Sequence, residues 1–221
     1  MDSPRPPGRE IKQDRGHKTY AALVDTGFRL LELRDFESVS IAELARLAGY
    51  SVGAFYARFN SKDEFFDALV ARHVERRDLS RERLFARTAD DVLIDAVVRD
   101  IVSYYSKHCG FWRAALIRSS RDPSFWGPMR RQGHVYTSTL INRLERQFGR
   151  RLSKAERTNV QFAFQVLFGT INNSIMNRPG PVLMSQRRFV TGLVRTFRLV
   201  AGYDQMLGRE PDAALTQPSG S

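Results

Sequence analysis

Four residues set a chemical theme early in the chain: Ala45, Gly49, Ser51 and Phe55. Small Ala45 lets two short helices approach, Gly49 supplies the positive φ of a tight turn, Ser51 caps the second helix, and Phe55 points back into a small core. The chemistry such a helix-turn-helix performs is non-covalent: it presents the N-terminal end of its second helix outward, where a DNA major groove can accept it. Val52, Ala54 and Arg58 are the outward candidates for base edges, the first two through apolar contact with thymine methyls and Arg58 toward a guanine or a phosphate. Ser40 and Ser51 lie at two helix N-termini, where free amides and a hydroxyl suit phosphate oxygens as well as plain capping.

Other chemistries are excluded by their surroundings. Residues 49–53 read GYSVG and fit the nucleophile-elbow pattern G-x-S-x-G, which requires a strand before the serine, but the preceding ELARLA reads as a helix. No catalytic residue and no cofactor are expected. The one cysteine, Cys109, precludes an intrachain disulfide framework. Its neighbour His108 points away from it on a helix, and no further ligands stand at metal-binding spacing.

The elements that must position these residues read as all-α, because apolar residues recur at helical offsets and no alternating run marks a half-buried strand. About nine helices are expected. The first covers 17–33, with Tyr20, Val24, Gly27, Phe28 and Leu31 on one stripe. Ser40 with Glu43, Ser61 with Glu64 and Ser153 with Glu156 read as capping boxes. A long fourth helix runs from 62 toward 85, followed by helices over 91–108 and 111–119. Pro123 and Pro128 demand a kink or turn before a helix over 128–148. The last two helices cover 155–176 and 185–201, the second with 207 as its outer limit.

Composition sets the bounds. The chain has 221 residues, a net charge of +11, 42% hydrophobic and 27% charged residues, and a mean hydropathy of -0.38, as in a soluble globular protein. No apolar stretch approaches the roughly 18 residues of a bilayer span, and the N-terminus lacks a signal-peptide core, so no membrane partner and a cytoplasmic location are expected. The positive charge points to a polyanionic partner, yet residues 1–88 hold 16 Lys+Arg against 14 Asp+Glu, while residues 89–221 hold 19 against 10. A nucleic-acid reading therefore rests on local placement.

The segment IAELARLAGYSVGAFYARFNSKDEFFDAL resembles the DNA-binding signature of the tetracycline-repressor (TetR) family of bacterial transcriptional regulators, with Ala45, Ala48, Gly49, Ser51, Gly53, Tyr56, Phe59, Ser61 and Lys62 matching. The resemblance covers about residues 17–70. It implies an N-terminal three-helix DNA-binding domain, a larger helical effector-binding domain, and a homodimer built on the last two long helices. Tyr56 and Lys62 fall where the family contacts phosphates. The sequence departs from the family at Val52 and Ala54, where Lys or Arg and then Thr are usual, and at Asp35, which replaces a glycine and tolerates a left-handed conformation less well. Arg9, Lys12, Arg15 and Lys18 make a basic approach to the first helix, either solvated or near the DNA backbone.

The expected organisation is a mobile basic arm over 1–16, the DNA-binding domain over 17–62, the effector-binding and dimerisation domain over 63–207, and a disordered tail over 208–221. The stretch from Tyr104 to His134 is dense in aromatics. Tyr104, Tyr105, His108, Trp112, Trp126 and His134, with Gln165, Phe168 and Asn172, read either as core or as the walls of a small-molecule pocket. The 155–176 helix is apolar nearly all round, so Phe162, Val166 and Gly169 need a second cover, most simply another copy of the chain; Phe189, Leu193 and Phe197 would add to that interface. Arg143, Arg146, Arg150, Arg151 and Lys154 read as a solvated basic face or a landing place for an anionic effector such as an acyl-CoA. With the resemblance, the expected function is that of a homodimeric repressor released from a near-palindromic operator by a small hydrophobic or amphipathic effector, or else of a DNA-binding regulator without such an effector, architectural or controlled by a protein partner.

Overall fold

The computed structural model describes residues 7–208, with side chains from Gly16 onward. Among these residues every regular element is helical. Of the expected arm over 1–16 and tail over 208–221, residues 1–6 and 209–221 lie outside the described residues, and for residues 7–15 only the backbone is described. Helix α1 spans Pro7–Leu33, so it starts ten positions before the expected residue 17. Proline at the first helical position explains the early start, since the missing N–H has no intrahelical partner there and φ is already set.

Two compact units follow from how the chain folds back, and each is discontinuous in sequence: residues 1–78 with 108–128, and residues 79–107 with 129–221. In the first unit α1 is followed by a 3-10 turn at Phe36–Ser38, then α2 (Ile41–Leu47), α3 (Val52–Tyr56) and most of α4 (Lys62–Arg87). Helix α6 (Cys109–Arg121) and a 3-10 turn at Pro123–Trp126 complete it. That turn is the interruption which Pro123 and Pro128 demand; Asp122 caps it by accepting the Ser124 amide at 3.0 Å. The core is aromatic, with Phe55, Phe65, Phe66, Phe111 and Trp112 all 2% exposed or less. Glycine makes this packing possible: a Cβ on Gly27 would stand 2.6 Å from the Phe65 ring, so α1 and α4 approach only because position 27 is bare. Tyr20, expected on the buried stripe, is 38% exposed and lies at its edge against Phe59.

The second unit holds the end of α4, α5 (Leu93–Lys107), α7 (Gly127–Phe148, from Met129), α8 (Lys154–Asn177), α9 (Arg187–Ala201) and α10 (Tyr203–Met206). Val97, Leu140, Leu144, Val160 and Ile171 are wholly buried in it. Gly202, at φ 67°, stops α9 in a left-handed conformation, which is why the last helix breaks before α10.

Only one of the three expected capping boxes is reciprocal. Ser153 accepts the Glu156 amide at 3.2 Å while Glu156 accepts the Ser153 amide at 2.7 Å. Ser40 and Ser61 each accept their N3 amide, but Glu43 turns to Arg34 at 2.8 Å and Glu64 accepts from the Asn60 backbone amide at 2.7 Å. Competing charge-assisted partners took the second half of each box. The basic face is partly paired: Arg150 meets Glu156 at 2.6 Å, Arg151 and Arg157 share Glu145, and Arg143 holds Asp90 at 2.6 Å and the carbonyls of Phe85 and Thr88, while Arg146 and Lys154 are exposed.

Glu156 gives a pH prediction. The Arg150 guanidinium first, then the Ser153 amide, lower its carboxyl from 4.5 to about 2. The ionised form is the one favoured by folding, so its contribution is full above pH 4.5 and is lost as pH falls toward about 2. Thermal melts of wild type and Glu156→Gln should therefore differ at neutral pH and converge as the solution approaches pH 2; a gap independent of pH would assign the effect to packing.

Candidate nucleic-acid interface

The first unit builds the outward helix from its turn upward. Helix α2 ends at Leu47, and Gly49 takes φ 81° with its amide on the Arg46 carbonyl at 3.1 Å. A Cβ at Gly49 would meet nothing within 4 Å, so the position needs glycine for backbone conformation and not for space. The Tyr50 amide then reaches the Ala45 carbonyl at 2.9 Å. Ser51 accepts the Ala54 amide at 3.2 Å and starts α3. Ala45 and Phe55 are both 0% exposed, as the offsets require.

Anchored by Phe55 beneath, α3 shows solvent the opposite side: Val52 is 41% exposed and Tyr56 52%. Ala54 is half-buried, while Ser40, Ser51, Arg58 and Lys18 are exposed. The Ser40 and Ser51 oxygens each accept a backbone amide, which leaves each hydroxyl proton available to donate to a phosphate oxygen. Helix α3 is five residues long, so Phe59 lies in the turn beyond it, 2% exposed.

Two basic residues are held more tightly than their sequence context suggests. Lys62 donates to the Glu37 carbonyl at 3.2 Å and its ammonium lies 4.6 Å from the centroid of the Phe36 ring. It therefore braces the 3-10 turn just before α2, and reaching a phosphate means exchanging that carbonyl for a charged acceptor. Arg58 bends back: its Nη1 donates to the Ala57 carbonyl at 3.1 Å, and its guanidinium lies so near α1 that a Cβ on Gly16 would stand 2.8 Å from Nη2. Sequence reasoning missed the Gly16–Arg58 approach, since nothing local to either residue reports it. Asp35, expected to strain a left-handed position, sits at φ -73°, ψ 145°, so glycine is not required there. Its carboxylate meets Arg113 at 3.2 Å.

The expected pocket residues are divided between the units. His108 and Trp112 are core of the first unit, 8% and 2% exposed, with His108 Nδ1 3.7 Å from Glu32 and the Trp112 ring 4.8 Å from His73. Trp126 lies 6.2 Å from Trp112 in the same unit. In the second unit Tyr105 meets Phe168 at 5.9 Å, with Tyr104 and Asn172 half-buried, whereas His134 and Gln165 face solvent. Aromatic density along the sequence was thus satisfied mostly by core packing.

The interface set also needs correction. Phe189, Leu193 and Phe197 are 7%, 6% and 2% exposed inside the second unit, Phe197 edge-on to Phe164 at 5.0 Å, and present nothing to a partner. On α8, Phe162 is 55% exposed, Val166 is half-buried, and a Cβ on Gly169 would meet nothing. On α9 the exposed positions are Arg187, Arg188, Thr191, Gly192, Arg195, Thr196 and Leu199, of which only Leu199, 57% exposed, is a large apolar residue.

Residues 23–69 match the family model described as bacterial regulatory proteins, tetR family. An uncharacterized HTH-type transcriptional regulator, YwcC of Bacillus subtilis, is 32% identical over 101 residues, 42% of this chain and 45% of its own length. The HTH-type transcriptional regulator EthR of Mycolicibacterium smegmatis is 29% identical over 153 residues, 65% of this chain and 68% of its own. The match thus spans less than half of the first relative and about two thirds of the second. A tetR-family transcriptional regulator from Streptomyces coelicolor superposes with a TM-score of 0.62 at 18% identity, covering 88% of this chain and 90% of that one. No helix among the described residues is long and apolar enough to cross a membrane, and they contain no group of three or more His, Cys, Asp or Glu placed to hold a metal ion.

Proposed function

We propose that the chain, whose residues 23–69 match the tetR family of bacterial regulatory proteins, is a cytoplasmic, homodimeric repressor without catalytic activity, released from operator DNA by a small hydrophobic or amphipathic molecule. The observation that carries this reading is α3 itself: a capped helix pinned from below by wholly buried Phe55, with Val52 and Tyr56 turned to solvent. Val52 and Ala54 offer methyl groups to thymines; Tyr56, Ser40, Ser51, Lys62 and Lys18 take phosphates and fix the register. A twofold pair of such heads would enter successive major grooves about 34–36 Å apart on a near-palindromic site.

Release follows from population shift. An effector favouring one conformation of the helical body over another changes the population competent for DNA. Helix α4 supports this route, because it is one uninterrupted helix whose residues belong to both units.

Selection from random duplexes tests the reading: the purified chain should enrich a near-palindromic sequence, and enrichment of nothing would end it. At that site Lys62→Ala should weaken binding to all duplexes alike and lower the salt slope by about one contact. A slope equal to wild type would leave Lys62 with its bracing role on Glu37 alone.

A further inference from the structure

The second unit carries a groove of about 460 Å³ on the outward face of α5, lined by Arg99, Val102, Ser103, Ser106, Lys107, Met184, Ser185 and Val190. That volume falls within the range of small-molecule sites, roughly 300–1,000 Å³. We propose that this groove binds a small aliphatic carboxylate, with its head on Arg99, Ser103 and Lys107 and its tail along Val102, Met184 and Val190.

Helical spacing builds the head end. Ser103 has Arg99 one turn before it and Lys107 one turn after, so both cations can converge over its hydroxyl. Among the described residues Arg99 makes no ion pair or hydrogen bond, whereas Arg143, Arg150, Arg151, Arg157 and Arg198 of the same unit each hold a carboxylate. No carboxylate lines the groove. The acids of α5 are engaged elsewhere, Asp95 with Arg198 at 3.4 Å and Asp100 with the Tyr136 hydroxyl at 3.2 Å.

The serines add an independent signal. Hydroxyl residues in these helices habitually donate to their own helix's carbonyls, as Thr137, Thr139, Thr158, Thr170, Ser174 and Thr191 do. Ser103 and Ser106 make no such bond among the described residues, as Ser80 and Thr196 also do not, and with Ser185, in the turn before α9, they line the groove. The Arg99 guanidinium and three hydroxyls at one end, with two valines and a methionine beside them, match an anion carried on a short apolar chain. A fully hydrated inorganic anion would leave the apolar wall unused. This site is separate from the Tyr105–Phe168 cluster. It rests on the effector reading above only for its regulatory consequence, since binding to the groove requires no DNA.

The test is calorimetric titration of the full chain, without DNA, using octanoate, 1-octanol and acetate. Octanoate should bind once per chain, with octanol and acetate each weaker by at least about tenfold, because each lacks one half of the contact. Arg99→Gln should erase the preference for octanoate over octanol, and Met184→Glu, which sets a carboxylate on the tail wall, should abolish octanoate binding. Arg146→Gln, an exposed arginine outside the groove, should bind as wild type. Octanol binding as tightly as octanoate, or octanoate affinity unchanged by Arg99→Gln in a variant with wild-type melting, overturns the proposal. Failure of the operator selection with octanoate binding intact would strike the regulator reading and leave the groove standing.

Discussion

Replacing Gly110 by alanine should lower stability by about 3 kcal/mol, near the upper end for overpacked sites, and Tm by about 10 °C. A Cβ at this position would stand 2.4 Å from the Arg34 carbonyl oxygen and 2.5 Å from that of Leu31. Both obstacles are backbone, so no side-chain rotation relieves them, and either α6 or the end of α1 must move. The adjoining Phe111 ring packs on Phe28 at 5.4 Å and on Phe66 at 5.5 Å, so that movement would open the aromatic core beneath the DNA-facing helices. Gly133 is the matched control. It lies inside α7 with nothing within 4 Å of its would-be Cβ, and Gly133→Ala should gain about 0.5–1 kcal/mol from helix propensity. Chemical denaturation of the two variants checks the pair; equal and small effects would mean that α6 yields freely at residue 110.

The contrast between those glycines shows where the sequence stops being informative. Ala45, Gly49, Ser51 and Phe55 were legible because each meets a demand set within a dozen residues: closeness, positive φ, a cap, a buried ring. Three of the serine caps were legible for the same reason. Gly110 and Gly16 answer to residues 76 and 42 positions away, Arg34 and Arg58, and local pattern carries no trace of such approaches. Lys62 was recognised by its motif, yet its bond to the Glu37 carbonyl depends on how the turn at residues 36–38 folds against α4. The aromatic run from Tyr104 to His134 is ambiguous for a physical reason: a core and a pocket use the same side chains, and only the fold decides which. Likewise Phe189, Leu193 and Phe197 sit at offsets suited to any buried stripe, and the periodicity does not say whether the cover is the chain's own α8 or a second copy. The groove on α5 was invisible because Met184, Ser185 and Val190 come from the far end of the chain.

Phe162→Asp should leave the fold intact and separate the proposed dimer. The ring is 55% exposed in the single chain, so its loss costs the protomer little. In a twofold interface it is buried twice, and burying one phenylalanine is worth roughly 1.5–3 kcal/mol. Two facing aspartates would add the cost of desolvating like charges. The combined effect should weaken self-association at least about a hundredfold, making the variant monomeric at micromolar concentration in analytical ultracentrifugation. Operator affinity should fall in step, because a dimer engages its second half-site at an effective concentration that a monomer lacks, worth about 10²–10⁴ in avidity. The residual binding should resemble that of a single head on one half-site and keep the same base preference, since Val52, Ala54 and Tyr56 are untouched. Leu199→Asp on α9 should behave alike, whereas a charge at Gln165, exposed on the same helix as Phe162, tests how far the interface extends. A Phe162→Asp protein that still sediments as a dimer would place the twofold contact on some other surface than the outward sides of α8 and α9.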